Sequence, residues 1–61
     1  MRKQYRAYTV EIHVYDENTD SYFPEYVACN GYSCENAINR AKEVLKQQGY
    51  KKMYAVECTL A

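Results

Sequence analysis

Alternating apolar and polar positions predict β-strands in the first half of the chain. Residues 5–15 carry apolar side chains at every second position, a period that is typical of a half-buried strand. The apolar set is Tyr8, Val10, Ile12 and Val14, and the opposite side carries Tyr5, Ala7, Thr9, Glu11, His13 and Tyr15. Residues 16–21 are polar turn formers, so they predict a hairpin loop that leads into a second strand over residues 22–30.

The inward face of the second strand is ambiguous. Phe23, Val27 and Cys29 form one apolar set, whereas Tyr22, Tyr26 and Ala28 form another. Pro24 cannot donate a hydrogen bond to a ladder, so this strand is expected at the edge of a sheet or with a bulge. A bulge near Pro24 would change the facing part-way along the strand and resolve the ambiguity.

The second half of the chain predicts one helix and a third strand. Ser33 is expected to cap the helix at its start, and Gly49 is expected to end it with a left-handed residue. The apolar stripe of this helix is Cys34, Ala37, Ile38, Ala41, Val44 and Leu45. Residues 51–60 alternate again, with Tyr54, Val56, Cys58 and Leu60 expected toward the core and Met53, Ala55, Glu57 and Thr59 away from it.

These elements predict one α+β domain over residues 1–61. A ββαβ order allows a three-stranded antiparallel sheet in the spatial order 2-1-3, with the helix packed on one face. A domain of this size buries only about 60% of the surface that its unfolded chain exposes. Because one sheet face and both edges stay open, a homodimer is one expected way to cover them.

Charge is distributed in blocks, although the net charge is +0. Basic residues occupy the start of the chain and residues 40–52, whereas residues 7–39 contain no Lys or Arg. The acidic residues of that middle region are Glu11, Asp16, Glu17, Asp20, Glu25 and Glu35. This arrangement is expected to give the fold an acidic end and a basic region, which can steer a partner.

The hairpin carries the residues that we expect to bind a protein partner. Of the eight tyrosines in the chain, three bracket the acidic loop, and tyrosine beside carboxylates suits a surface that docks on a basic groove. The predicted partner-binding residues are Tyr15, Asp16, Glu17, Asp20, Tyr22, Glu25 and Tyr26. A merely solvated hairpin is the competing interpretation.

Nucleic-acid binding is the alternative function. Tyrosines on an open sheet can stack on bases, and the predicted phosphate contacts are Arg2, Lys3, Arg6 and Arg40. The neutral net charge and the acidic hairpin weigh against this alternative, because phosphate contacts supply most of the affinity for nucleic acid.

No pattern in the sequence predicts catalysis, a metal ion or a cofactor. Cys29, Cys34, Cys58 and His13 have the chemistry of zinc ligands, but their spacing is loose and His13 falls on the face opposite the core set. The odd number of cysteines is typical of thiols in a reducing compartment, and no apolar run is long enough for a membrane helix. We therefore expect a non-enzymatic, cytosolic protein.

The layout resembles two groups of proteins. A strand, an acidic turn, a second strand and then Gly-Tyr-Ser-Cys-Glu-Asn-Ala at the start of an amphipathic helix are similar to the HicB-type antitoxin fold. Size, the ββαβ pattern and charge asymmetry are similar to small inhibitors that phages and mobile elements make against host machinery, including anti-CRISPR proteins. The second resemblance implies a function in protein binding, and neither assigns a role to an individual residue.

Overall fold

The computed structural model describes residues 4–61 and confirms the α+β layout. Strand β1 covers Arg6–Asp16, β2 covers Ser21–Gly31, helix α1 covers Cys34–Gln47, and β3 covers Met53–Leu60. The strands form one antiparallel sheet in the order β2-β1-β3, as expected, with β1 in the centre. Arg2 and Lys3, two of the predicted phosphate contacts, lie outside the described residues.

The core lies between β1 and the helix. Val10, Ile12 and Val14 on β1 are fully buried, and they pack with Tyr8 as the alternation predicted. The helix contributes Ala37, Ala41 and Leu45 to the same cluster. Each large aliphatic side chain buried in this way contributes roughly 1.5–3 kcal/mol, so this thin layer supplies much of the stability of the domain.

Both ends of the helix have the predicted caps. The Ser33 hydroxyl accepts a hydrogen bond from the Asn36 amide at 3.1 Å, which satisfies one of the free N–H groups of the first turn. At the other end Gly49 has a φ of 107°, and its amide donates to the Lys46 carbonyl at 3.0 Å. The Tyr50 amide donates back to the Leu45 carbonyl at 3.3 Å, which completes a Schellman motif.

Strand β2 lies at the edge of the sheet, as Pro24 predicted, but it contains no bulge. Its pairing with β1 is continuous from Arg6↔Gly31 to Asp16↔Ser21. The helix-side set is therefore Phe23, Glu25, Val27 and Cys29, which resolves the ambiguity of the sequence pattern. Of the two alternatives that Pro24 left open, the structure has the edge position and not the bulge.

The irregularity of the sheet lies in β3 instead. Ile12 pairs with Ala55 and Glu11 pairs with Glu57, so Val56 is an extra residue without a partner on β1. Because of this bulge, residues 53–55 point to the sheet face opposite to the one that the alternation predicted. Met53 and Ala55 pack against the core, and Tyr54 and Val56 are exposed, opposite to the prediction. Beyond the bulge the predicted core position of Cys58 is confirmed.

The apolar stripe of the helix is narrower than the sequence indicated. Ile38 packs against the core with Ala37, Ala41 and Leu45, but Val44 and Cys34 are exposed. The reason is that a sheet of only three strands is narrow, and β2 places Glu25, a charged residue, on the helix side. A helix on so small a sheet buries only the centre of its apolar stripe.

Candidate functional site

The sheet face that the helix does not cover carries a contiguous group of aromatic side chains. The register places Tyr15 opposite Tyr22, and His13 between Pro24 and Tyr54. Residues paired across antiparallel strands point to the same side, so these rings share one face. We call Tyr15, Tyr22, Tyr26, Tyr54 and His13 the tyrosine face.

Four of these rings are in contact with one another. The ring centroids of Tyr15 and Tyr22 are 5.4 Å apart, and those of Tyr22 and Tyr54 are 5.1 Å apart. The His13 ring follows at 5.4 Å from Tyr54, so the chain of contacts crosses all three strands. Such tilted or edge-to-face aromatic pairs are each worth roughly 0.5–1.5 kcal/mol beyond their buried area. They hold the rings in place before any partner binds.

The rings nevertheless remain open to solvent. Tyr22 is 46% exposed, Tyr54 is 47% exposed, and Tyr26 is 67% exposed. Tyr26 lies beside Glu11 in the register, and it extends the aromatic surface along β2. Half-exposed, preordered tyrosines are the composition found at the centres of protein interfaces, where a large ring can be buried with little loss of side-chain freedom.

Carboxylates occupy the middle of the same face. Glu11 and Glu57 are directly opposite each other on β1 and β3, an arrangement that costs stability because like charges repel. The Glu11 carboxylate is 2.8 Å from His13 Nε2, and the Tyr54 hydroxyl is 3.4 Å from His13 Nδ1. Within residues 4–61, the strands place no Lys or Arg on this face, and His13 is the one basic side chain within 4.0 Å of either glutamate carboxylate.

The acidic turn, residues 16–20, closes one end of the tyrosine face. The Asn18 amide donates to the Asp16 carboxylate at 2.9 Å, and Asp20 has a φ of 54° in the left-handed region. The Tyr15 hydroxyl donates to the Asp20 carboxylate, and this bond is the largest of the effects that raise the pKa of the Tyr15 phenol. The turn and the aromatic surface are therefore one connected structure.

Two lysines lie beside the acidic turn, which the sequence did not predict. Lys51 and Lys52 line a cavity of about 290 Å³ together with Asp16 and Glu17. The Lys52 ammonium group also lies 5.2 Å from the centroid of the Tyr15 ring. The expected separation into an acidic end and a basic region is thus incomplete, because the chain after the helix brings positive charge back to the hairpin.

The structure brings together most of the predicted partner-binding residues, with one exception. Tyr15, Tyr22 and Tyr26 share the tyrosine face, and Asp16, Glu17 and Asp20 form its acidic end. Glu25 pairs with Ile12 and therefore lies on the helix side of the sheet, apart from the other predicted residues. Tyr54 belongs to the surface but was assigned to the core, because the bulge at Val56 leaves no mark in the alternation.

Arg6 and Arg40, the predicted nucleic-acid contacts within residues 4–61, lie away from the tyrosine face. Arg6 is at the end of β1 opposite the acidic turn, where its Nε donates to the Gln4 side chain at 2.9 Å. The Arg40 guanidinium lies 5.5 Å from the Tyr5 ring, and Tyr5 packs on Tyr32 at 4.9 Å. Tyr5 therefore lies with the helix and not on the open face, where the alternation had placed it.

The edges of the sheet are poor sites for an added strand. The Tyr15 amide donates to Lys52 and the Ala7 carbonyl accepts from Ala61, so odd-numbered residues of β1 direct their backbone groups toward β3. His13 has this parity, so its partner Pro24 directs its nitrogen to the open edge of β2. That nitrogen has no hydrogen to donate, and the Val56 bulge interrupts the other edge.

The fold and the surface define a small α+β protein whose one uncovered sheet face is aromatic and acidic. No protein-family model, no curated protein and no solved structure matches the chain. In the part of the chain that the structure describes, no helix is long and apolar enough to cross a membrane. Across residues 4–61, no three side chains among His, Cys, Asp and Glu are grouped as ligands for a metal ion.

Proposed function

We propose that this protein is a small, non-enzymatic binding module that docks its tyrosine face and acidic turn on a basic surface of a partner protein. The observation that carries the proposal is the continuous ring contact from Tyr15 through Tyr22 and Tyr54 to His13 on an uncovered face. Burial of such rings supplies the binding energy of many interfaces, where tyrosine and tryptophan are prominent among the residues that dominate affinity.

Charge complementarity indicates the chemistry of the partner. Glu11 and Glu57 repel each other at the centre of the face, and a lysine or arginine from a partner would relieve that repulsion. The acidic turn adds Asp16, Glu17 and Asp20 at one end. A partner with a basic groove therefore fits this surface better than a neutral or acidic one.

The same charges disfavour the homodimer that the open sheet suggested. In a two-fold symmetric pairing centred on this face, the Glu11 and Glu57 carboxylates of one copy would meet those of the other. Two pairs of like charges would then lose water with no lysine or arginine from these strands between them. We therefore propose that a different protein binds the tyrosine face, and the test below also detects self-association.

Occlusion is the mechanism that suits so small a molecule. A rigid aromatic surface that occupies a basic groove excludes whatever the groove otherwise binds, and basic grooves commonly hold nucleic acid. We propose this inhibitory action in the cytosol, in line with the resemblance in size and layout to the small inhibitors of phages and mobile elements. No catalytic step is required of any residue in this proposal.

The test is affinity capture from a bacterial lysate with matched tyrosine variants. Three baits are compared: wild type, a double variant with Tyr22→Ala and Tyr54→Ala, and a control with Tyr32→Ala. Tyr32 is a suitable control because it is 52% exposed but lies with Tyr5 and the helix. We expect one protein to be retained by wild type and by the control after nuclease treatment, and to be lost from the double variant. With that protein purified, we expect each alanine to weaken binding by about tenfold or more.

Three other outcomes would contradict the proposal. Equal capture by the double variant and the control would remove the tyrosine face from the interface. Capture that disappears with nuclease, together with affinity that falls steeply as salt rises, would transfer the function to Arg6, Arg40 and nucleic acid. A dimer mass in analytical ultracentrifugation that Tyr22→Ala with Tyr54→Ala abolishes would show that the partner is a second copy.

A further inference from the structure

Two of the three cysteines meet where the helix begins. Cys34 is the first residue of α1 and is exposed, whereas Cys58 lies on β3 with its side chain toward the core. The Cys34 Sγ is 3.5 Å from the Cys58 carbonyl oxygen, and the Cys58 Sγ is 4.0 Å from the Cys34 carbonyl oxygen. Each sulfur therefore lies over the main chain of the other residue.

The third cysteine lies on a different strand from Cys58. The Cys29 Sγ donates to the Ala37 carbonyl at 3.1 Å, and Cys29 belongs to β2. Because β1 lies between β2 and β3 in the sheet, a full strand separates Cys29 from Cys58. Disulfide geometry requires Cα atoms within about 7 Å, so Cys29 is not suited to bond with Cys58.

We propose that Cys34 and Cys58 are an oxidisable pair that forms an intramolecular disulfide with a small oxidised disulfide such as oxidised glutathione. The reciprocal contacts place the two side chains face to face between α1 and β3, so rotation of the side chains brings the sulfurs together. The site is a modification site on the helix side of the sheet, and it does not rest on the function proposed for the tyrosine face.

The order of the two exchange steps follows from the surroundings of each thiol. Burial, followed by the neighbouring Cys34 thiol, raises the pKa of Cys58 to about 12, so Cys58 is a poor first nucleophile. The exposed Cys34, as its thiolate, attacks one sulfur of oxidised glutathione, the glutathione S–S bond breaks, and one glutathione thiolate leaves and takes up a proton.

The second step closes the bond within the protein. Cys58 loses its proton to water or hydroxide and attacks the Cys34 sulfur of the mixed disulfide, which expels the second glutathione thiolate. Two cysteine thiols are thereby oxidised, and one oxidised glutathione is reduced to two glutathione molecules. The high pKa of Cys58 makes this step the slower one, so a Cys34–glutathione adduct is expected to precede the disulfide.

The disulfide would fasten the helix to the sheet strand that carries the bulge. It closes the segment from residue 34 to residue 58, and a cross-link of that length restricts the unfolded chain strongly. For a domain with so thin a core, we expect the unfolding midpoint Tm of the oxidised protein to rise by on the order of 10 °C. The tyrosine face lies on the other side of the sheet and should keep its structure.

The experiment is incubation of the full chain with oxidised glutathione, followed by mass spectrometry without reduction. Wild type should lose two hydrogen atoms in mass, and peptide mapping should join Cys34 to Cys58. Cys29→Ala should form the same bond with the same rise in Tm. Cys58→Ala should stop at a glutathione adduct on Cys34, and Cys34→Ala should react far more slowly than wild type.

Any of four results would overturn the proposal. The first three are a wild-type protein that stays at the glutathione adduct, a bond that involves Cys29, and a disulfide that joins two chains. The fourth is an oxidised protein whose Tm is unchanged or lower, which would contradict the geometry on which the pair is based. Binding to the protein partner should be equal for the oxidised and reduced forms, so failure here leaves the proposed function untouched, and the reverse is also true.

Discussion

Tyr15 joins the acidic turn to the aromatic surface through three different contacts. Its ring packs on Tyr22 and makes a cation–π contact with the Lys52 ammonium group, while its hydroxyl donates to Asp20. Asp20 has a positive φ, a conformation that aspartate tolerates better than most residues because its side chain can bond to the local backbone. Loss of either the Tyr15 hydroxyl or the Asp20 carboxylate is therefore expected to loosen the turn.

The ionisation of Tyr15 measures this connection directly. The Asp20 carboxylate raises the pKa of the phenol above its ordinary value, with smaller contributions from desolvation, Glu17, Tyr22 and Asp16. Since only the neutral phenol donates, the bond stabilises the turn below the ordinary tyrosine pKa and is lost as pH rises through the raised pKa of the folded protein.

We predict that Asp20→Asn lowers the pKa of Tyr15. NMR titration of the tyrosine Cζ carbons measures this change. Asp16→Asn is the matched control, because Asp16 acts on Tyr15 only through space and is the smallest contributor. It should lower the Tyr15 pKa by less. Equal shifts in the two variants would show that general negative charge, and not the hydrogen bond, perturbs the phenol.

The sequence predicts only part of the tyrosine face. Tyr15 and Tyr22 flank the turn, so their pairing follows from any tight antiparallel hairpin. Tyr54 joins them from a strand far along the chain, and its facing depends on one unpaired residue at position 56. Local spacing therefore predicts the hairpin part of the tyrosine face, but it does not predict the part that β3 supplies.

At the scale of the elements, the central strand and the helix were the most predictable. Both ladders use β1, so its alternation of buried and half-buried residues is regular from Tyr8 to Val14. The helix has a capping serine before it and a glycine after it, and both caps formed as predicted. In β3, alternate apolar residues suggested the wrong face, since neither glycine nor proline marks the bulge at Val56.

Glycine is required at positions 31 and 49 for different physical reasons, and substitutions can distinguish the two reasons. A Cβ on Gly31 would lie 2.9 Å from the Ala37 nitrogen, so Gly31→Ala forces the start of the helix away from β2. A Cβ on Gly49 would meet no atom within 4 Å, and its cost arises only from the φ of 107°.

We predict that Gly31→Ala destabilises the domain by roughly 1–3 kcal/mol, the usual cost of overpacking. Gly49→Ala should cost about 1–2 kcal/mol, the penalty for a left-handed L-residue. Urea denaturation measures both. Chemical synthesis with D-alanine should recover the stability at position 49, where only the positive φ opposes an L-residue. A D-alanine that leaves position 49 as unstable as L-alanine would show that the φ of Gly49 is not the source of the cost.

At the scale of the whole molecule, the net charge of +0 conceals an uneven surface. The tyrosine face has carboxylates at its centre and at one end, whereas Lys51 and Lys52 stand beside that acidic end. For a basic partner these lysines work against attraction, and for an acidic partner or nucleic acid they would assist it. Their effect on binding therefore distinguishes the sign of the partner's charge without requiring its structure.

We predict that Lys51→Glu strengthens binding to the captured protein and Lys42→Glu does not. Both variants change the net charge equally, but Lys51 lines the cavity beside Asp16 and Glu17, and Lys42 lies on the helix. Charge near an interface acts mainly on the association rate, so the gain should be several-fold at low salt and should vanish at high salt. Stopped-flow kinetics over a salt series measures this gain in association rate.

Weaker binding by Lys51→Glu would show that the partner is acidic at this end, and equal gains in both variants would indicate attraction to the net charge alone. Lys52 is left intact in this test because its contact with Tyr15 would confound charge with packing.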